Sequence, residues 1–256
     1  MEKLTKKEHW ENNWRHMPLP ARFNTDYSNR VISDRIAQYL VGKPPKKIIE
    51  IGGCPGRWSD FFFSRFGCQC DIVDYEENGC KTTEENYRLL KIKGDVYCQD
   101  IFQHTLPHNN YDLVMSAGLV EHFTELEPIF SKHLELLKDG GLLVIGVPNG
   151  FDSKYYNRVM KASGKESIHR RVSKEELAEA ANNHHLKILY CDYLGVVGLG
   201  LMKRLLFENS VLRRLVGPIF YLLDKLLFVF PVTKEGSQLS PKIYLIARKT
   251  VGSGKA

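Results

Sequence analysis

The stretch KKIIEIGGCPGRW, residues 46–58, constrains the fold more than any other part of this 256-residue chain. Its apolar run over Ile48–Ile51 is typical of a strand buried on both faces. Three glycines and a proline follow within residues 52–56, and aromatic residues then recur at helical spacing from Trp58 to Phe66. A strand, a glycine turn and a helix in this order predict a nucleotide-binding crevice. The bare turn lets a ligand approach the backbone, and the helix start offers free N–H groups.

The turn matches neither of two common phosphate-binding motifs. A phosphate-binding loop needs Lys-Ser/Thr after its last glycine, and a dinucleotide fingerprint needs Gly-x-Gly-x-x-Gly. Neither pattern occurs around Gly52–Gly56. Glu50 lies two residues before the first glycine, and a carboxylate at that place repels a pyrophosphate but suits a cationic ligand or an amine.

The spacing of Glu50, Gly52, Cys54 and Gly56 resembles the Asp/Glu-x-Gly-x-Gly-x-Gly signature of class I S-adenosylmethionine-dependent methyltransferases. Cys54 is the departure, because the family most often has glycine at that position. The resemblance extends over residues 46–147 and continues more loosely to the last two predicted strands.

Two further acids follow predicted strands. Asp74 ends the strand Cys70–Asp74, and Asp100 follows the strand Val96–Gln99. In an open α/β sheet the ligand lies across the carboxyl ends of the strands, so Asp74 is placed to accept hydrogen bonds from ribose hydroxyls and Asp100 from an adenine amino group. Ordinary turn formation is the alternative for both acids. The resemblance implies S-adenosyl-L-methionine as cofactor, bound by Glu50, Gly52, Gly53, Cys54, Gly56, Asp74, Tyr75, Asp100, Ile101, Ser116 and Ala117.

Alternating strands and helices predict a doubly wound, mostly parallel α/β sheet of seven strands, as in the Rossmann-like methyltransferase fold. One predicted helix covers Val120–Leu137 and ends at Asp139–Gly141, before a strand over Leu142–Val147. We expect a single domain, residues 1–256. Residues 1–44 form an N-terminal helical cap, residues 45–194 and 239–250 the core, and residues 195–238 an apolar insertion near the C-terminus.

A possible catalytic segment follows the fourth predicted strand as Val120-Glu121-His122-Phe123. It resembles the Leu-Glu-His of the small-molecule branch of the family. The Asn/Asp-Pro-Pro-Tyr motif of enzymes that methylate amino groups of nucleic acids is absent from the sequence. The resemblance implies methyl transfer to a small-molecule or lipid-like acceptor, with a hydroxyl oxygen as first choice and nitrogen or carbon left open.

His122 is the first candidate for the base that removes the proton of such a hydroxyl, since imidazole titrates near neutral pH. His169, in a segment expected to fold over the site, is the second. The alternative for His122 is local packing or contact with the cofactor alone. The competing hypothesis for the whole chain is a cofactor-binding scaffold at a membrane that has lost catalysis.

The charge and the cysteine content indicate which binding partners and which cellular location to expect. The net charge of +6 is spread along the chain without a dense basic tract, which argues against a nucleic-acid partner. The six cysteines include no Cys-x-x-Cys pair, so we expect no metal site, no disulfide framework and reduced thiols in the cytoplasm. The N-terminus has no apolar signal core.

The insertion contains the most apolar stretch of the chain, Val211–Val232, which is interrupted by Pro218, Asp224 and Lys225. A membrane-spanning helix needs about twenty apolar residues with few charges. Residues 198–234 are therefore expected either to lie peripherally at a membrane, with nearby basic side chains on anionic head groups, or to form an apolar lid or homodimer contact.

Overall fold

A computed structural model describes residues 2–5, 7–14, 17–23, 26–150, 153, 157, 169–195, 203, 210–229, 235–238 and 240–250. The strands within them are β1 Lys47–Ile51, β2 Gln69–Asp74, β3 Val96–Cys98, β4 Tyr111–Ala117, β5 Leu137–Pro148, β6 Lys187–Leu194 and β7 Lys242–Arg248. The helices are α1 Lys7–Trp14, α2 Tyr27–Gln38, α3 Arg57–Phe66, α4 Glu77–Leu90, α5 Glu127–Leu136, α6 Lys174–Asn183, α7 Ser210–Leu215 and α8 Gly217–Val229.

The seven strands form one sheet in the order β3-β2-β1-β4-β5-β7-β6. Strands β1 to β5 are parallel, and β7 runs antiparallel between β5 and β6. The predicted mostly parallel, Rossmann-like sheet is thus confirmed. The chain leaves β1 towards β2 on one side and later returns to β4 on the other. The crevice outside the carboxyl ends of β1 and β4 is therefore the switch point at which such sheets bind ligands.

Apolar side chains cover both faces of the sheet, because its central strands are rich in buried aliphatic residues that point to both sides. Phe62 of α3 and Tyr87 of α4 pack against one face, and Phe130 of α5 and Leu177 of α6 pack against the other. Ser173 caps α6, since its side chain accepts a hydrogen bond from the backbone N–H of the third helical residue.

The predicted helix Val120–Leu137 is wrong in its first half. Val120–His122 form a single 3-10 turn, and Phe123 has extended backbone angles of φ −113 and ψ 149. Phe123 also pairs with Lys3 of the N-terminal segment through a β-bridge. The helix α5 begins only at Glu127, with a proline in its first turn, where a missing N–H costs no hydrogen bond.

The strand β5 begins earlier than predicted. Leu137 pairs with Tyr111 of β4, so Asp139–Gly141 lie inside the strand and do not separate it from the helix. Gly140 allows this because its φ of +74 lies in the left-handed region, where the chain bends while its N–H still bonds to the Lys249 carbonyl.

Two consecutive helices, α7 and α8, occupy the described part of the predicted insertion. Apart from Lys203, residues 198–209 and 230–234 lie outside the described residues, and so do the predictions made for them. Among the described helices, none combines the length and the apolar character needed to cross a bilayer.

A buried histidine ties α5 to the end of β4. His133 donates from Nδ1 to the Ile129 carbonyl at 2.7 Å, and its Nε2 lies 2.9 Å from the Ser116 hydroxyl. Nδ1 must carry the proton in this arrangement, so Nε2 of the neutral ring accepts from the hydroxyl. Burial lowers the pKa of His133 to about 4.

The depressed pKa predicts how His133 affects stability. Below pH 6.5 the unfolded chain takes up a proton at this residue before the folded chain does. The contribution of His133 to the free energy of unfolding is therefore lost as the pH falls from 6.5 towards 4, by at most about 1.4 kcal/mol per pH unit. We expect the free energy of unfolding of the wild type, relative to His133→Gln, to fall over that range in urea titrations. Parallel curves would contradict this. The wild-type curve alone is insufficient, because Glu121, whose pKa burial raises to about 7, titrates in the opposite sense.

Candidate active site

The glycine turn after β1 is closely packed against neighbouring side chains. Gly52 has a φ of +68, and a Cβ added to it would lie 2.8 Å from Leu119 Cδ1. A Cβ at Gly53 would lie 2.4 Å from the Cδ atom of Glu50. Side chains are therefore excluded from both positions, and the backbone of the turn stays accessible to a ligand on its open side.

Glu50 places a buried carboxylate beside this turn. Its side chain is 4% exposed, and Oε2 has no hydrogen-bond partner among the described residues. Burial, together with the nearby charge of Asp74, raises the pKa of Glu50 well above its ordinary value. A buried carboxylate without a partner is costly, so this site favours a ligand that brings a positive charge.

One part of the crevice is a pocket of about 650 Å³, including space open to solvent, between the carboxyl ends of β1, β2 and β4. We call it the cofactor pocket, because the family resemblance implies that S-adenosylmethionine binds at these strand ends. Asp74 accepts a hydrogen bond from the backbone N–H of Glu76 at 3.1 Å, and burial raises the pKa of Asp74. The lining residues are Lys3, Thr5, Trp10, Trp14, Ile51, Gly52, Val73, Asp74, Tyr75, Gln99, Asp100, Ile101, Gly118, Leu119, His122 and Phe123.

The N-terminal segment forms one wall of the cofactor pocket. Lys3 Nζ lies 2.7 Å from a carboxylate oxygen of Asp100 and 3.9 Å from the ring centre of Tyr75. Although burial opposes it, the Lys3 ammonium holds the pKa of Asp100 below its ordinary value. Trp10 and Trp14 stack at 6.2 Å and complete the wall.

A second pocket of about 900 Å³ opens on the other side of the glycine turn. We call it the acceptor cleft, after the role that we propose for it. Gly52 lines both pockets, so they meet at the turn. The strand β7 contributes Lys242 and Tyr244, and burial lowers the pKa of Lys242. The remaining lining residues are Phe23, Asn29, Ile32, Glu50, Gly53, Cys54, Pro55, Arg57, Trp58 and Ala117.

A cluster of three proton-accepting groups lies next to the cofactor pocket. One ligand-type atom each from Glu121, His122 and His169 lies within 4.8 Å of the other two. The Nδ1 atom of His122 is 2.6 Å from the Thr5 hydroxyl, and the Arg170 N–H donates to the Glu121 carbonyl. Glu121 Oε2 is buried without a hydrogen-bond partner in the described part of the chain, and burial raises its pKa to about 7 against the opposing charge of Lys242.

The predicted site residues are distributed over both pockets. Gly52, Asp74, Tyr75, Asp100, Ile101 and His122 line the cofactor pocket, and Glu50, Gly52, Gly53, Cys54 and Ala117 line the acceptor cleft. Three others line neither: Ser116 bonds to His133, Gly56 packs against Tyr87, and His169 contacts the His122 ring at 4.6 Å.

Cys54, which departs from the glycine pattern, is buried next to α4. A hydrogen bond with Cys80, together with burial, raises the pKa of the Cys54 thiol. A Cβ at Gly79 would come within 3.3 Å of the Cys54 Cβ atom, so the helix lies directly against this residue. The small thiol therefore fits between the turn and the helix.

Several site residues could not be found from local sequence patterns. Lys242 and Tyr244 come from the last strand, and the Tyr244 ring lies so close to Gly146 that a Cβ there would be 2.5 Å away. Lys3 and Thr5 belong to the N-terminal segment. Only the pairing of β7 with β5 and of Lys3 with Phe123 brings these residues to the crevice.

Residues 23–190, more than half of the chain, match the sequence profile of a methyltransferase domain. The chain belongs to this methyltransferase family. The match covers the glycine turn, the three strand-end acids and His122. It confirms the predicted class I fold and a methyltransferase that uses S-adenosylmethionine. No curated protein matches the chain.

Solved structures with the same fold differ in what they methylate. The geranyl diphosphate C-methyltransferase of Streptomyces coelicolor A3(2) aligns with a TM-score of 0.61 at 14% identity, over 95% of this chain and 98% of its own. An Archaeoglobus fulgidus methyltransferase gives 0.58 at 18% identity, over 86% and 94%. Phosphoethanolamine N-methyltransferase 2 of Haemonchus contortus gives 0.57 at 17%, over 86% and 52%. At these sequence identities, the similarity to the three structures shows that this chain shares their fold.

The crowding at Gly53 leads to a direct prediction. In Gly53→Ala the new methyl group displaces the Glu50 carboxylate, so we expect the Kd for S-adenosylmethionine to rise at least about tenfold, or about 1.4 kcal/mol. Isothermal titration calorimetry measures this. Gly236→Ala is the matched control, because a Cβ there meets no atom within 4 Å. Equal affinity of both variants would show that the position of Glu50 does not matter.

Proposed function

We propose that this methyltransferase transfers a methyl group from S-adenosylmethionine to a hydroxyl oxygen of a small or lipid-like acceptor. The observation that carries the cofactor assignment is the buried carboxylate of Glu50 together with the half-buried carboxylate of Asp74, beside a glycine turn whose backbone is open to a ligand. Such a site suits a ligand with positive charge and hydroxyl donors, which S-adenosylmethionine has.

Residues of both pockets would bind the cofactor, with Glu50 at the junction on the side of the acceptor cleft and the others in the cofactor pocket. Glu50 would neutralise the positive charge of the cofactor beside the turn, and Asp74 would accept hydrogen bonds from its ribose. Ile101 and Leu119 provide apolar walls, and Asp100 provides an acceptor at the far end, where Lys3 now pairs with it. Bound S-adenosylmethionine supplies an electrophilic methyl group on a sulfonium centre.

The acceptor cleft supports a small or lipid-like acceptor. It meets the cofactor pocket at Gly52, so a molecule in the cleft lies next to the reactive end of a cofactor bound at the turn. Trp58 and Tyr244 make it partly aromatic, and Arg57 and Lys242 add positive charge. Methyl transfer depends largely on alignment and on exclusion of water, and a narrow junction between two pockets serves both.

The choice of a hydroxyl acceptor depends on the cluster of Glu121, His122 and His169. A hydroxyl must lose its proton during methylation, and His122 brings this cluster to the wall of the cofactor pocket. His122, the residue of the cluster that lines the cofactor pocket, remains our candidate for the base. A carboxylate with two imidazoles can also bind a divalent transition metal. The absence of a metal site therefore stays a prediction. Measuring activity with and without EDTA tests it.

The charge of Glu50 gives the first test. Glu50→Gln keeps the shape of the side chain but removes the charge, so we expect at least about tenfold weaker binding of S-adenosylmethionine by calorimetry. Glu85→Gln is the control, because Glu85 is a surface residue paired with Arg88. Unchanged affinity in Glu50→Gln would refute the assigned role of this carboxylate.

The proposed base gives the second test. With pooled hydroxyl acceptors and S-adenosylhomocysteine as the detected product, His122→Asn should lower kcat at least about tenfold. His108→Asn is the control, because His108 is exposed and distant in sequence from the cluster. Unchanged kcat at saturating acceptor would remove His122 from the mechanism.

Other outcomes of the same assay distinguish the remaining candidates. Cofactor binding without any S-adenosylhomocysteine would favour a scaffold that has lost catalysis. Product formed only with amine or carbon acceptors would favour N- or C-methylation. The single-domain organisation, the cytoplasmic location and the lack of a nucleic-acid partner stay predictions.

A further inference from the structure

The helices α7 and α8 carry an unusual surface. Ten large apolar side chains are exposed among the described residues, and eight of them lie on these two helices. Exposed apolar patches of this kind mark sites of interaction with a protein or a membrane. The eight residues, which we call the apolar arc, are Val211, Leu212, Leu215, Ile219, Tyr221, Leu222, Leu223 and Leu226.

The orientation of α8 is the reverse of an ordinary surface helix. Its half-buried residues Phe220, Asp224 and Leu227 recur at helical spacing and face the protein. Asp224 accepts a hydrogen bond from the Tyr27 N–H at the start of α2 at 3.4 Å, so the acid of the helix is turned inwards. The outward face is left to apolar side chains, with Ile219 59% and Leu222 60% exposed. A lid packed over the crevice would bury these side chains.

The charges on the two helices identify the partner. Asp224 is the only acid between residues 210 and 229, and it faces α2. Arg214 and Lys225 are exposed beside the apolar arc, and Lys225 Nζ lies 5.3 Å from the ring centre of Tyr221. A second copy docked through the same surface would bring equal positive charges together. An anionic lipid surface complements both the apolar arc and its cations.

We propose that α7 and α8 bind the interface of an anionic bilayer, with the apolar arc between the head groups and the acyl chains. The 13 residues of α8 span about 20 Å at 1.5 Å per residue, which suits a helix lying flat in the interface. Arg214 and Lys225 contact anionic head groups at the rim of the arc.

The position of this surface links it to the acceptor. Helix α8 packs on α2, and α2 supplies Asn29 and Ile32 to the lining of the acceptor cleft. A protein bound through the apolar arc would hold that cleft close to the bilayer. The inference that the acceptor is a lipid rests on the proposed function, whereas membrane binding itself does not.

Vesicle co-sedimentation of the full-length protein tests the membrane proposal. We expect binding to phosphatidylcholine vesicles that contain phosphatidylglycerol, and weaker binding to pure phosphatidylcholine. The triple variant Ile219→Gln, Leu222→Gln, Leu226→Gln should bind at least about tenfold more weakly, because it places amides in the apolar arc. Val41→Gln with Leu89→Gln is the matched control, since these exposed apolar residues lie elsewhere and should leave binding unchanged.

Three results would overturn the proposal: no binding of the wild type to anionic vesicles, equal binding of the triple variant, or a concentration-dependent dimer that the triple variant abolishes while vesicles are not bound. Melting temperature and S-adenosylmethionine affinity are measured for every variant. Vesicle binding without cofactor binding would reject the proposed function and leave the membrane surface standing. Cofactor binding without vesicle binding would reject the membrane proposal and leave the proposed function standing.

Discussion

The buried carboxylate of Glu50 is the feature on which the candidate site depends. It lies on the central strand β1, and its position requires a residue without a side chain at Gly53. Desolvation makes an ionised carboxylate expensive there, and the nearby Asp74 adds to the cost. The two acids together form a region that favours a ligand with a positive charge. The glycine turn and the acids therefore act together, because the shape of the backbone and the charge of the acids favour the same kind of ligand.

Local sequence patterns were sufficient to predict that three acids lie at the carboxyl ends of neighbouring strands. Glu50, Asp74 and Asp100 each follow or end a short apolar run, and parallel strands bring such positions to one edge of a sheet. The fold follows from the same alternation. Local patterns failed where a distant segment changes the conformation, as at Phe123, whose pairing with Lys3 replaces the expected helix. They also could not reveal that Ser116 is engaged by His133 on the far side of the strand.

The antiparallel strand β7 contributes Lys242 and Tyr244 to the candidate site. Its register places Tyr244 opposite Gly146 of β5, and the absent side chain at Gly146 leaves room for the ring. Lys242 lies at the end of the same strand, near Glu121. Lys242 lines the cleft and Glu121 does not, but the charge of each influences the pKa of the other. A poorly solvated acid and base therefore lie close to one another beside the cleft.

The proposed membrane surface lies in the connection between β6 and β7. The strand at the end of that connection, β7, contributes two residues to the acceptor cleft. The insertion leaves the sheet at the end of β6 and returns as β7, the strand that carries Lys242 and Tyr244. Its two ends are held together, because the Gly195 N–H donates to Glu235 at 3.2 Å and Arg35 of α2 pairs with the same carboxylate at 3.1 Å. Through Asp224 the outer helix is also fixed to α2. If α7 and α8 bind a bilayer as we propose, an ordering effect on the apolar arc would reach α2 and β7, two of the elements that line the cleft, without a separate hinge.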